Sequence, residues 1–214
     1  MRTLAEILRQ VQSVSTPKEI IIVDDGSTDG SAEWLKNLKE PGVTGLFHEC
    51  NRGKGAAIRT ALEKVTGELV IIQDADLEYS PQQYPQLLQP ILEGHADVVY
   101  GSRFLGGPHR VLFFWHYAGN VFFTLLANII YNINLSDMGT CYKVFRAESI
   151  RSLNLRSSRF GIEAEITAKV CKKKLRIYEV PISYYGRTYK DGKKLTWTAA
   201  FDYLGCLLKY RFMD

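Results

Sequence analysis

The chain has 214 residues, 46% of them hydrophobic and 23% charged, with four cysteines and a formal net charge of +4. A chain of this length buries roughly 70% of its unfolded surface, and the composition excludes a disordered chain, a collagen-like chain and a small disulfide scaffold. Cys50, Cys141, Cys171 and Cys206 lie far apart with no CxxC pair, which argues against a structural zinc site and fits reduced thiols in a cytoplasmic compartment.

The charge is unevenly spread. Residues 1–100 carry 9 Lys and Arg against 15 Asp and Glu, whereas residues 101–214 carry 18 against 8. An acidic half suits a cation, and a basic half suits anions or an anionic surface. Solvated faces account for the same numbers without function.

Met1–Gln12 is charged and amphipathic rather than signal-like, and Leu4, Ile7, Leu8 and Val11 recur at helical spacing. Pro17 ends that helix, and Glu19–Asp24 follows as a buried strand. This order is the second half of a βαβ unit, so the expected first strand is missing from this chain. Further strand-like runs are Val43–His48, Glu68–Asp74 and Asp97–Tyr100, separated by helical stretches Ser31–Lys39, Gly55–Val65 and Pro81–Glu93. The alternation predicts an α/β fold with a mostly parallel, doubly wound sheet. A strand near Cys141–Arg146, a helix Ile162–Lys173, a strand Leu175–Tyr185 and a helix Thr196–Tyr210 complete a single expected domain.

Ligands of open α/β sheets bind beyond the carboxyl ends of the strands. The first visible strand ends in Asp24 and Asp25 of DDGSTDG, which read either as ligands or as caps for the next helix. The third ends in QDADLE, where Asp74, Asp76 and Glu78 are spaced by two and fall on one side of an extended chain. Three such carboxylates repel each other unless a cation lies between them. Their hard oxygens suit Mg²⁺ or Mn²⁺ bridging to substrate phosphates, the plainer alternative being a solvated strand end. NRGKGAA, from Asn51, opens a helix with two glycines and lacks the Walker spacing. It reads as an anion-favouring turn or simply a helix start.

DDGSTDG, NRGKGAA, QDADLEYSP, YGSRF, CYKVFR and EVPISYYGRTYKDGKK occur in that order. Together they resemble the family 2 glycosyltransferases, and among them the polyprenyl-phosphate sugar transferases of the dolichyl-phosphate mannosyltransferase type. The resemblance implies a GT-A fold, a nucleoside-diphosphate sugar donor, Mg²⁺ or Mn²⁺, and inversion at the anomeric carbon. It assigns residues 1–100 to donor and metal and residues 101–214 to acceptor and membrane. Asp24 and Asp25 would contact base and ribose, and Asp74 the nucleoside side of the donor. Asp76 would bind the metal with Glu78 as second ligand, where some relatives carry Gln. Arg103, Arg187 and Lys193 would bind donor or acceptor phosphates, with Asp76, Arg103 and Arg187 as the catalytic set. The chain departs from the pattern twice. The opening VVIPxYNE-type strand is absent, and Gly139 replaces the acidic residue of a DMETCYK-type segment.

Val111–Leu135 contains no Asp, Glu, Lys or Arg. His116, Asn120, Thr124, Asn128 and Asn132 form a polar stripe against Phe122, Phe123, Leu125, Leu126, Ile129 and Ile130, which predicts an interfacial helix rather than a span. A buried core helix is the competing reading. Lys172–Lys174 reads as a solvated helix end, and Arg187 and Lys193 as phosphate ligands in a Gly-bounded loop. No nucleic-acid motif is present. The expected function is hexose transfer to a polyprenyl phosphate at the cytoplasmic face of a membrane, by a peripheral protein. The alternatives are transfer to a glycan hydroxyl, with Glu163 or Glu165 as base, and a degenerate, non-catalytic membrane-associated binding protein.

Overall fold

The computed structural model describes residues 2–188 and 199–213. Helix α1 (Arg2–Ser13) is followed by β1 (Ile20–Asp24), α2 (Ser31–Asn37), β2 (Val43–Phe47), α3 (Lys54–Leu62) and β3 (Leu69–Ile71). A 3₁₀ turn at Pro81–Gln83 leads into α4 (Tyr84–Leu92), β4 (Val98–Ser102) and α5 (Phe114–Tyr131). Then come β5 (Lys143–Arg146), α6 (Ala147–Ser152), α7 (Ile162–Lys172), β6 (Ile177–Pro181) and α8 (Ala199–Phe212).

The core is built on the period-2 alternation of β4 and β5. Val98, Tyr100 and Phe145 face a cluster with Ile162, Ile166 and Val170 of α7, together with Ala127 of α5 and Leu207 of α8. Val99 and Val144 face the other way, onto Leu87, Leu88 and Ile91 of α4 and Ile7 and Val11 of α1. Helices therefore cover both faces of the sheet, and all five residues of β4 are buried. The apolar stripe of α1 is used as its spacing predicts.

Strand direction corrects the expectation of a mostly parallel sheet. β1 and β2 form a separate parallel pair, and the other four strands run in the order β3-β5-β4-β6. β5 is antiparallel to both β3 and β4, and only β4–β6 is parallel. The cause is the route of the chain. After α5, Ser136 and Asp137 meet Ser102 and Arg103 at the carboxyl end of β4, so β5 starts at that end and runs back. β1 and β3 are not paired with each other. Glu19, just before β1, ties their starts together by accepting the Thr66 and Gly67 amides at 2.6 and 2.9 Å.

Candidate active site

The carboxylates after β3 do not sit on an extended strand. The chain turns at Ala75–Asp76, and Leu77 adopts a left-handed φ of 64°, a conformation that costs a non-glycine residue roughly 1–2 kcal/mol. The turn separates the three acids. Asp74 pairs with Lys54 Nζ at 2.9 Å. Asp76 and Glu78 instead converge on one cation, the Arg187 guanidinium. Arg187 Nη2 donates to Asp76 Oδ2 at 2.7 Å, and its Nε and backbone N–H donate to Glu78 Oε1 at 3.2 and 2.9 Å. The remaining oxygens are also engaged: Asp76 Oδ1 accepts the Glu78 amide, and Glu78 Oε2 accepts the Tyr184 hydroxyl. Burial, with the Asp74 and Glu78 charges, pushes the Asp76 carboxyl up to about 6. Its surroundings therefore favour positive charge.

Lys54, which the sequence reading passed over within NRGKGAA, links this region to the core. Its ammonium lies 3.2 Å from Glu163 Oε1, and Glu163 Oε2 in turn accepts from Lys143 at 2.5 Å. Burial alone would raise the Glu163 carboxyl, but the two ammoniums outweigh it and hold it below the usual range. Glu165 is closed off likewise, by Lys169 and by the amides of Arg156 and Ser157. Neither glutamate opens toward a substrate, which corrects their candidacy as bases.

Asp24 and Asp25 act first on the protein itself. Asp24 Oδ1 accepts the Ser27 amide at 3.0 Å and closes the turn after β1. Asp25 accepts the Arg52 and Gly53 amides at 2.9 and 2.7 Å and His48 Nδ1 at 2.6 Å. His48 Nε2 then meets Thr60 Oγ1 at 2.9 Å. Asp25 thus shapes the 51–53 turn that opens α3. Gly53 is obligatory there: its φ is 92°, and a Cβ would strike the Ser158 carbonyl.

Arg103, after β4, is a clamp. Its Nε and Nη2 form a fork on the fully buried Asp137, both at 2.7 Å. Its guanidinium also lies 5.2 Å from the Tyr184 ring centroid. Tyr184, against Arg103, and Arg187 both reach Glu78. Gly139 lies beside Arg103, and a Cβ there would come within 2.6 Å of Asn120 Nδ2. The amide of α5 takes the space a side chain at 139 would need. Lys193 lies outside the described residues.

The Arg187 loop is joined to the root of α5. Tyr184 N donates to the Pro108 carbonyl at 2.9 Å, Arg110 N donates to the Tyr184 carbonyl at 3.0 Å, and Arg110 Nη1 reaches the Gly186 carbonyl at 3.2 Å. α5 itself is oriented opposite to an ordinary surface helix. The middle of its polar stripe faces inward: Thr124 is 4% exposed and accepts the Met138 amide, and Asn128 bonds both backbone groups of Leu135, whereas Asn132 is an exposed cap beyond the helix end. Its large apolar residues face outward, with Trp115 81% and Ile129 70% exposed, alongside Phe122 and Leu125. Half of the expected apolar face is corrected: Phe123, Leu126 and Ile130 turn inward and pack on the core. No helix among the described residues is long and apolar enough to cross a membrane. Lys172–Lys174 is exposed at the end of α7.

The donor set fits Mg²⁺ or Mn²⁺. Two hard oxygens, Asp76 Oδ2 and Glu78 Oε1, already converge on one cationic group. Among the described residues no group of three or more His, Cys, Asp or Glu forms a protein-only cage. Mg²⁺ is characteristically held by one or two carboxylates together with water and substrate phosphates.

Three comparisons bear on this geometry. The chain is 27% identical over 209 residues to an undecaprenyl-phosphate mannosyltransferase of Micrococcus luteus, covering 90% of this chain and 82% of that protein. It is 30% identical over 169 residues to the glycosyltransferase AglJ of Haloferax volcanii, covering 78% of this chain and 54% of that protein. The fold superimposes on glucosyl-3-phosphoglycerate synthase of Mycobacterium tuberculosis, crystallised with Mn²⁺, UDP and glucosyl-3-phosphoglycerate, with a TM-score of 0.75. That match has 19% identity and covers 100% of this chain and 76% of the other. The open, mixed α/β architecture is accordingly GT-A. Residues 1–153 match Glycosyl transferase family 2, and the chain belongs to that family of enzymes.

Proposed function

We propose that this glycosyltransferase moves a hexose, with inversion, from a nucleoside-diphosphate sugar to a polyprenyl phosphate at a membrane surface. The observation that carries this reading is an adjacency. The loop whose Arg187 meets Asp76 and Glu78 is hydrogen-bonded, through Tyr184 and Gly186, to the root of a helix with an apolar outer face. A lipid-borne phosphate needs those two surfaces side by side. The relationship to an undecaprenyl-phosphate mannosyltransferase supports the same acceptor class.

Each residue has a role in this scheme. Asp25 fixes the 51–53 turn and Asp24 the turn after β1, so that both line the nucleoside end of the donor. Asp74 receives the nucleoside side, its orientation set by Lys54. Asp76 and Glu78 hold Mg²⁺ or Mn²⁺, which when bound neutralises charge on the departing diphosphate. Arg103, held by Asp137, and Arg187, with Lys193, draw the donor and acceptor phosphates together. A phosphate monoester is already anionic near neutral pH, its second pKa being about 6. No strong base is then required, which agrees with the enclosure of Glu163 and Glu165. The outward face of α5 rests on the bilayer, where basic residues near an anionic surface add roughly 1 kcal/mol each.

The test is incubation with radiolabelled nucleotide-sugars, Mn²⁺ and a short polyprenyl phosphate, followed by organic extraction. The expected result is a labelled lipid of inverted anomeric configuration. Label recovered only in water-soluble products contradicts the reading.

A further inference from the structure

Arg187 does more than approach the carboxylate pair: it takes the coordination positions of a cation. Its Nη2 covers Asp76 Oδ2, and its Nε and backbone N–H both cover Glu78 Oε1. The other oxygen of each carboxylate already accepts a donor from its own surroundings, the Glu78 amide for Asp76 and the Tyr184 hydroxyl for Glu78. Oδ2 and Oε1 are therefore the oxygens through which the pair meets a cation, and both are covered by one residue. The side chain is 31% exposed, so a path outward exists.

We propose that Arg187 is a built-in counter-cation of this site, exchanged for the divalent cation. The exchange breaks both its guanidinium contacts and its amide bond to Glu78. The inference rests on the reading of Asp76 and Glu78 as the cation ligands. Glu78 Oε1 already accepts two donors from Arg187, so a cation that took this oxygen would have to displace at least one of them, and its charge would repel the guanidinium. The exchange has a consequence for order of events. Before cation binding, Arg187 neutralises the acids and holds them in place. After it, the same guanidinium is released from the acids and is free to take a phosphate, an anion that a guanidinium binds through paired N–H donors. The cation-loaded site thereby gains an anion ligand that the cation-free site lacks, and the two charges arrive together.

The experiment is a titration with Mn²⁺ alone at pH 8, read by the loss of the free-ion electron paramagnetic resonance signal. It compares the wild type with Arg187→Gln and Arg187→Lys, with Asp76→Asn as control. Removing a charge-assisted competitor predicts that Arg187→Gln binds Mn²⁺ about tenfold or more tighter than wild type, with Arg187→Lys between them. Hydrogen exchange at the Arg187 amide supplies a second readout in the wild type: Mn²⁺ should accelerate it. Equal or weaker Mn²⁺ binding by Arg187→Gln, or an amide equally protected at saturating Mn²⁺, overturns the exchange while leaving the cation site standing. Absence of Mn²⁺ binding in both wild type and Arg187→Gln, or unchanged binding in Asp76→Asn, overturns the cation site and the exchange with it.

Discussion

Asn128 grips Leu135 by both of its backbone groups: the side-chain carbonyl accepts the Leu135 amide at 2.9 Å, and the side-chain amide donates to the Leu135 carbonyl at 2.8 Å. With Thr124 on the Met138 amide, this turns the polar side of α5 toward the 135–139 segment. The apolar side is left outside. Satisfied backbone groups in a buried loop explain the inward polar stripe. The outward Phe122, Leu125 and Ile129 lack any such structural duty.

That division predicts the behaviour of a surface variant. Phe122→Glu with Leu125→Glu should abolish sedimentation with anionic liposomes while the melting temperature stays within a few degrees of wild type, since both side chains are exposed. Unfolding of the variant, or liposome binding that persists, contradicts the membrane role of this face.

Asp76→Asn should eliminate Mn²⁺-dependent binding of the nucleotide-sugar in calorimetric titration without weakening the fold. The sign follows from the raised carboxyl. A folded value of about 6 against an ordinary 3.8 means that ionisation of Asp76 opposes folding, increasingly as pH rises through that window. Neutralising the residue removes that opposition, so thermal stability at pH 7 should be unchanged or higher. Metal-dependent binding equal to wild type removes Asp76 from the site.

Glu163→Gln has the opposite effect on stability. Glu163 is 2% exposed, and the variant leaves the buried Lys143 ammonium without its counter-charge. Breaking a buried pair from one side costs about 3–5 kcal/mol, measurable by urea unfolding. Because the folded carboxyl lies below its ordinary 4.5, its contribution is fully present above that value. It is lost as pH falls through the lower folded one. The variant should therefore lose less stability than wild type between neutral and acid pH. A variant as stable as wild type at pH 7 contradicts the structural assignment and reopens Glu163 as a chemical group.

Arg187→Ala should impair transfer more than it impairs donor binding. Loss of one charge-assisted phosphate contact is worth roughly 1.5–3 kcal/mol, or about 10- to 150-fold. The comparison is transfer rate with lipid phosphate against donor affinity without it. Equal losses in both place Arg187 on the donor alone.

The sequence was most legible where periodicity governs burial. α1 follows from its apolar spacing, the positions of β4 and α7 were read from the sequence, and the ordered motifs carried the family. Strand direction was not legible, because it depends on where the 132–142 segment re-enters the sheet. That is fixed by Ser136 and Asp137 against Ser102 and Arg103, contacts distant in sequence.

The site shows the same division. Spacing by two suggested three carboxylates on one side, yet Leu77 turns the chain and sends Asp74 to Lys54 and the other two to Arg187. A left-handed leucine has no signature in a single sequence. The polar stripe of α5 was legible as a stripe, on a helix that is not long and apolar enough to cross a membrane. Which way it faces was fixed only by its partners, and Phe123, Leu126 and Ile130 fall on the inner side as a result. Lys54 and Tyr184 carried a signal, being the charged and aromatic members of NRGKG and SYYGR, but their partners lie 20 and 106 residues away.

The acceptor is the centre of the account, and one comparison tests it most directly: radiolabelled hexose transfer to a short polyprenyl phosphate against transfer to the matching polyprenol, at equal concentration and with Mn²⁺. A site whose arginines stand ready for phosphate, with Glu163 and Glu165 both enclosed, predicts transfer to the phosphate and none above background to the alcohol. Equal transfer to the uncharged alcohol would contradict the phosphate acceptor and call for a base other than the enclosed Glu163 and Glu165.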